Sequence, residues 1–146
     1  HLSIRRQRQM CIRDRSNIVY KNNLRTQAVH LSSGEAIITD APVDNNGKGE
    51  AFSPTDLVAA ALGSCMITIM GIAAQKHDID ISGTSASVKK IMGSNPRKID
   101  EVVIDISMSN HLNENDRKRL ERAALSCPVH KSLHPDLIKT ISFSYK

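Results

Sequence analysis

The segment SPTDLVAAALGSCMITIMGIAA, residues 53–74, carries the strongest structural signal in the sequence. It opens with a strong helix start, because Ser53 is suited to cap a helix and Pro54 to occupy its first position. Asp56 follows at the third position, where a carboxylate favours the helix dipole. No charged side chain occurs from Leu57 to Ala74. We therefore predict a helix that is buried on all sides.

This uncharged run is long enough to meet the length criterion for a membrane span. Its composition argues against that interpretation, because Ala, Gly, Ser and Thr dominate the run and no aromatic belt or basic flank accompanies it. A chain of 146 residues rarely surrounds one helix completely. We therefore expect no membrane partner and a second subunit that covers part of the helix.

The remaining sequence predicts an α+β domain with the element order β-β-α-β-β-α-β. The strands are predicted from alternating or apolar segments that are bounded by turn residues. The first strand covers residues 18–20 and continues over 24–31, and the others cover residues 35–39, 79–92, 99–108 and 138–145. A second helix is predicted to open at Asn113 and to break at Pro128. One apolar stripe along it carries Leu120, Ala123, Ala124 and Cys127.

The composition is that of a soluble globular protein, with 40% apolar and 24% charged residues. Aromatic residues make up only 3%, which argues against a single-stranded nucleic-acid partner. The net charge is +5, but five arginines less one aspartate place +4 of it in residues 1–15. We interpret residues 1–15 as a non-native or disordered leader and residues 16–146 as one domain.

Two of the three cysteines occupy the predicted helices. Cys65 lies in the middle of the uncharged helix, too far from its N-terminus for the helix dipole to activate the thiol. Cys127 lies at the end of the second helix. Either cysteine alone is consistent with a small hydrophobic core residue. If the helices pack together, however, the two sulfurs could meet as a reactive and a resolving thiol.

Three further residue types bear on the chemistry of such a thiol pair. The spacing of Cys127, His130 and His134 invites a zinc site, but Pro128 disturbs a common helical face, and we expect no metal or organic cofactor.

Arg25 and Glu50 are each consistent with ordinary solvated side chains. As a pair they suggest a carboxylate that orients a guanidinium, which in turn stabilises a thiolate.

The sequence EAFSPTDLVAAALGSC, residues 50–65, resembles the first active-site helix of the OsmC/Ohr family (osmotically inducible protein C and organic hydroperoxide resistance proteins). Cys127-Pro128-Val129 resembles the second-cysteine motif of that family, and the resemblance covers about residues 17–146. It implies an OsmC-like α+β fold in which an antiparallel sheet and two main helices form an intertwined homodimer. The local sequence around Arg25 is more similar to an OsmC-like branch than to the organic-hydroperoxide branch.

The resemblance also implies an activity, the thiol-dependent reduction of hydroperoxides. Cys65 would be the peroxidatic cysteine, Cys127 the resolving cysteine, Arg25 the residue that stabilises the thiolate, and Glu50 the carboxylate beside it. A dithiol reductant, either a lipoyl protein or a small thiol, would reopen the disulfide. A reducing cytoplasm would keep both thiols available. The alternative hypothesis is a non-enzymatic protein on the same fold that binds an apolar ligand or senses redox state.

Overall fold

The computed structural model describes residues 15–146, which form two compact units that divide after Pro54. The predicted leader, residues 1–15, lies outside the described residues except for Arg15. The architecture is mixed α+β with two main helices and mostly antiparallel strand pairs, in agreement with the predicted fold class.

The first unit contains a three-stranded antiparallel sheet of β1 (Ser16–Tyr20), β2 (Arg25–His30) and β3 (Ala36–Asp40), in that order. Three strands rather than two therefore precede the long helix. The predicted strand over residues 18–31 is interrupted because Asn22, Asn23 and Leu24 all adopt left-handed backbone conformations. A loop with one turn of 3-10 helix (Val43–Asn45) follows β3.

The second unit begins with the long helix α1 (Pro54–Lys76), which runs on from the predicted helix start. The strands β4 (Ser85–Gly93), β5 (Lys98–Met108) and β6 (Ile138–Tyr145) form a sheet in which β5 is central. The helices α2 (Glu114–Leu125) and α3 (Pro128–Ser132) connect β5 to β6. The side chain of Asn113 caps α2 by accepting a hydrogen bond from the Asp116 N–H, and α3 begins at the predicted break.

Two details of this sheet differ from the predictions. The expectation of a purely antiparallel sheet is wrong for β6, which pairs with β5 in parallel. A parallel neighbour needs a crossover connection, and the α2–α3 segment supplies it. The strand predicted from Ile79 begins only at Ser85. The Asp80 carboxylate accepts hydrogen bonds from the Ser82 N–H and hydroxyl, and this local turn replaces the start of the strand.

The core of the second unit is formed by the alternating inward side chains of β5 together with one face of α1 and of α2. These side chains are all 0–2% exposed: Leu62, Met66, Met70, Val102, Ile104, Ile106, Met108, Leu120 and Ala124. The strict alternation along β5 confirms the period-2 pattern from which this strand was predicted.

Polar contacts fix both main helices to the strands of the second unit. The ammonium of Lys90 on β4 donates a 2.8 Å hydrogen bond to the Thr55 hydroxyl and lies 2.9 Å from the Asp56 carboxylate. These contacts hold the first turn of α1. The Tyr145 hydroxyl on β6 donates a 2.6 Å hydrogen bond to Glu121 on α2. Both helices are therefore anchored at defined points of one sheet. Helix α1 carries Cys65, and α2 is followed by Cys127.

The opposite face of α1 is not covered within this chain. Val58 and Ile72 are 37% and 47% exposed, so the single chain leaves part of the helix without the cover that was expected from a second subunit. Among the described helices, α1 alone has the length and composition that could cross a membrane, with a mean hydropathy of 2.1 over an 18-residue window of which 33% is buried. Buried core helices meet the same criterion.

The tight contact of Gly63 on α1 with the sheet generates a stability prediction. A Cβ at Gly63 would lie 2.8 Å from Cγ2 of Val88, so Gly63→Ala should displace the helix and reduce the free energy of unfolding by about 1–3 kcal/mol. Gly71 on the same helix has no atom within 4 Å of such a Cβ. Gly71→Ala should therefore stabilise the protein by up to about 1 kcal/mol through helix propensity. Urea unfolding measures both changes, and equal effects of the two substitutions would contradict the packing argument.

Candidate active site

The two predicted thiols come together in the second unit. Cys65 lies in the middle of α1, and Cys127 lies in the short connection between α2 and α3. Both are free thiols, and the side chain of Cys65 lies near enough to that of Cys127 to raise the pKa of its thiol. The folded chain therefore brings the two thiols near each other.

The two sulfurs differ in their access to solvent. Cys127 is completely buried among the core side chains, whereas Cys65 is partly exposed and packs against the edge of the same core. The positions beside Cys65 on the outer face of α1, Ala61, Ser64 and Thr68, are exposed and uncharged. Within the single chain, the pair is therefore open to solution on the side of Cys65.

The surroundings of Cys127 act on its pKa in opposite directions. Burial raises the pKa of the Cys127 thiol, and the neighbouring Cys65 thiol raises it further. The backbone N–H groups of His130 and Val129 act against this shift, and the His130 N–H lies 3.2 Å from the sulfur. Burial has the largest influence, so the neutral thiol of Cys127 is favoured in the reduced protein.

The first unit holds a cluster of three charged side chains around Arg25. Its guanidinium makes a two-point contact with Asp40, with Nε 2.7 Å from Oδ1 and Nη2 2.8 Å from Oδ2. Nη2 also lies 3.1 Å from Oε2 of Glu50. The pairing of Arg25 with Glu50 was expected from the sequence. The stronger contact to Asp40 was not.

Asp40 is the organising residue of this cluster. Its side chain is 1% exposed, compared with 65% for Glu50. Arg25 lowers the pKa of the Asp40 carboxyl through hydrogen bonding, and both carboxylates raise the pKa of Arg25. The Asp40 carboxylate also accepts a 3.2 Å hydrogen bond from the Glu50 N–H. One buried carboxylate therefore fixes the guanidinium and the loop that carries Glu50.

Asp40 was missed because the predicted strand ended one residue earlier, at Thr39. The register of the hairpin formed by β2 and β3 would have identified Asp40 as the residue opposite Arg25. The turn closes with a hydrogen bond from the His30 N–H to the Glu35 carbonyl, and counting outward from it places Arg25 directly opposite Asp40. An arginine opposite an aspartate across antiparallel strands is a favourable pair.

The structure does not bring Cys127, His130 and His134 together as the ligands of a zinc site within the described residues. Within residues 15–146, no three His, Cys, Asp or Glu side chains are grouped as metal ligands would be. Nδ1 of His134 instead accepts a 3.0 Å hydrogen bond from the Asp136 N–H at an exposed position. Burial lowers the pKa of His130, with Lys139 adding to the shift.

An open groove of about 630 Å³ also lies in the second unit. Its apolar lining residues are Ile99, Leu133 and Leu137, and its polar ones are Thr55, Lys98, His134 and Asp136. Neither cysteine lines this groove. It is therefore not a pocket around the thiol pair.

The unequal burial of the two carboxylates around Arg25 predicts unequal effects of neutralising them. Asp40→Asn should lower the urea midpoint of unfolding clearly more than Glu50→Gln, because only Asp40 is buried and contacts Arg25 at two points. The pKa of Asp40 is lowered in the folded state. The stabilisation by the Asp40 carboxylate is therefore present above the pKa of the unfolded state, about 4, and it is lost as the pH falls through the pKa of the folded state. The difference between wild type and Asp40→Asn should be full at pH 7 and should shrink below about pH 4. A difference that does not change with pH would contradict the ion pair as its cause.

Comparison with known proteins extends these observations. The model of the OsmC-like protein family matches residues 47–141, which is more than half of the chain. A solved structure from Psychrobacter arcticus 273-4, of a protein proposed to act in osmotic stress and detoxification responses, is 52% identical with a TM-score of 0.85. That match covers 88% of this chain and 93% of the other. No curated protein sequence matches the chain.

More distant solved structures share the fold. The organic hydroperoxide resistance protein OsmC of Legionella pneumophila is 19% identical with a TM-score of 0.71, covering 89% of this chain and 95% of its own. The organic hydroperoxide resistance protein of Elizabethkingia anophelis is 13% identical with a TM-score of 0.71, covering 90% and 96%. The family match includes both cysteine motifs from which the resemblance was predicted and so confirms it. The chain belongs to the OsmC-like protein family.

Proposed function

We propose that this protein is a cysteine-based peroxidase that reduces organic hydroperoxides. The observation that carries the proposal is the pair of free thiols in contact, one partly exposed on α1 and one completely buried. The names of its structural relatives, which include organic hydroperoxide resistance proteins, support the same substrate class.

The proposed reaction assigns a separate step to each thiol. The Cys65 thiolate attacks the terminal oxygen of the hydroperoxide, the O–O bond breaks, and the alkoxide leaves as an alcohol after taking a proton. Cys65 is then a sulfenic acid. The Cys127 sulfur attacks Cys65 Sγ, water leaves, and a Cys65–Cys127 disulfide forms. A dithiol reductant returns two electrons and restores both thiols.

The cluster in the first unit is proposed to support the thiolate. Helix α1 has no charge between Asp56 and Lys76, so the cation that stabilises a Cys65 thiolate must come from outside the helix. We assign that role to Arg25, with Glu50 and the buried Asp40 orienting its guanidinium. The proposal needs no metal or organic cofactor, and it suits a cytoplasm that keeps both thiols reduced.

The first test follows free thiols after one equivalent of an alkyl hydroperoxide, with hydrogen peroxide in parallel. The full chain carries Cys11→Ser, so that Cys65 and Cys127 are its only thiols. We expect both thiols to disappear rapidly, faster with the alkyl hydroperoxide. Cys65→Ser should abolish the reaction, and Cys127→Ser should leave a sulfenic acid on Cys65. Thiol loss no faster than that of a free model thiol would contradict the peroxidase and favour a ligand-binding or redox-sensing protein.

The role of Arg25 has its own test in the same assay. Arg25→Ala should slow the peroxide reaction at pH 7 at least about tenfold and move its pH profile to higher pH, because the thiolate loses its compensating charge. Glu50→Gln should have a smaller effect in the same direction, since Asp40 continues to hold the guanidinium. An unchanged pH profile in Arg25→Ala would remove Arg25 from the site.

We also propose that the protein forms a homodimer through the outer face of α1, with contacts toward the two ends of the helix that leave Cys65, midway between them, open to solution. This face presents exposed apolar side chains, among them Val58 and Ile72, on a helix that its own chain covers only in part. Ile72→Glu should weaken the dimer at least about tenfold, because a charge would be buried in the interface. Gln75→Glu, at an exposed position one turn away, is the matched control. Sedimentation measures both, and a monomeric wild type would contradict the proposal.

A further inference from the structure

The different burial of the two sulfurs bears on how the oxidised protein is reduced. In thiol–disulfide exchange, the attacking thiolate approaches one sulfur from the side opposite the other, along the line of the S–S bond. The two sulfurs of a disulfide are therefore separate targets. In this protein only one of them is accessible from solution.

Access to the Cys127 sulfur is blocked by the core. Cys127 is 0% exposed and belongs to the same buried cluster as Leu120 and Ala124 of α2. A reductant could reach this sulfur only if α2 or α3 moved away from the sheet. Cys65, in contrast, lies beside the exposed positions Ser64 and Thr68 on the outer face of α1.

We propose that reductants open the Cys65–Cys127 disulfide by attacking Cys65 Sγ, so that Cys127 is always the leaving thiolate. This proposal rests on the proposed function for the identity of the oxidised form. The reductant thiolate forms a new S–S bond with Cys65, the Cys65–Cys127 bond breaks, and its electron pair stays on Cys127, which then takes a proton. The second thiol of a dithiol next attacks the reductant's own sulfur in this mixed disulfide and releases Cys65 as a thiolate. The disulfide gains two electrons and the dithiol loses two.

The site around Cys127 partly compensates the cost of releasing a thiolate inside the core. Burial disfavours the charge, but the His130 N–H already points at the sulfur from 3.2 Å at the start of α3. A hydrogen bond to a charged sulfur is stronger than one to a neutral thiol. The backbone of α3 therefore serves as a positioning element for the leaving group.

The test traps the mixed disulfide. The full chain with Cys11→Ser is oxidised with diamide, which needs no peroxide, and formation of the intramolecular disulfide is verified by mass. β-Mercaptoethanol is then added, the reaction is quenched with acid at early times, and free thiols are alkylated before peptide mapping. We expect the β-mercaptoethanol adduct on Cys65 and the alkyl group on Cys127, in at least about tenfold excess over the reverse pattern.

An adduct mainly on Cys127, or an equal split, would overturn the proposal, as would failure of diamide to link these two cysteines. None of these outcomes depends on whether the protein reduces peroxides. Single-thiol variants in the Cys11→Ser background provide the control. Cys127→Ser, which keeps Cys65, should react with Ellman's reagent at least about tenfold faster than Cys65→Ser, and urea unfolding should bring the two rates close together. Equal rates in the folded proteins would remove the accessibility argument and overturn the proposal.

Discussion

Helix α1 packs against the sheet of the second unit at Gly63, where the side chain of Val88 leaves no space for a methyl group. This contact fixes the rotation of the helix about its axis. With Gly63 and Met66 facing the sheet, the neighbouring position 65 lies at the edge of the core. Cys65 can then contact the buried Cys127 and still remain partly exposed. The chemistry proposed for the two thiols therefore depends on a packing contact that itself involves no reactive group.

The contact between the thiols also depends on the break at Pro128. Proline has no backbone N–H to donate to the preceding turn, so α2 ends at Leu125 and a second short helix begins at Pro128. Cys127 lies in the connection between the two helices. Its sulfur accepts a hydrogen bond from the His130 N–H and so caps the short helix α3. The same backbone break thus brings Cys127 into the core and supplies a hydrogen-bond donor for its sulfur.

The sequence predicted those features that local patterns determine. The Ser-Pro-Thr-Asp start located α1, and the alternation along residues 99–108 located β5 and its buried face. The direction of β6 could not be predicted, because a period of two gives the faces of a strand but not its orientation. That the chain covers α1 only in part was expected, but the face left exposed could not be identified, since an uncharged helix has no polar stripe to show which side lacks cover. Asp40 became recognisable as the partner of Arg25 only with the register of the hairpin.

The buried polar side chains are distributed unevenly between the two units. Within residues 15–146, Thr39, Asp40 and Ser53 are the buried polar or charged residues, and all three belong to the first unit. The core of the second unit is entirely apolar. The contribution of this core to stability follows the hydrophobic effect, which changes with temperature and does not depend on the titration of a buried group. The first unit depends in addition on a buried carboxylate and its guanidinium, so acidification acts on it first. Acidification below about pH 4 would therefore weaken the arginine cluster while the thiol pair kept its packing.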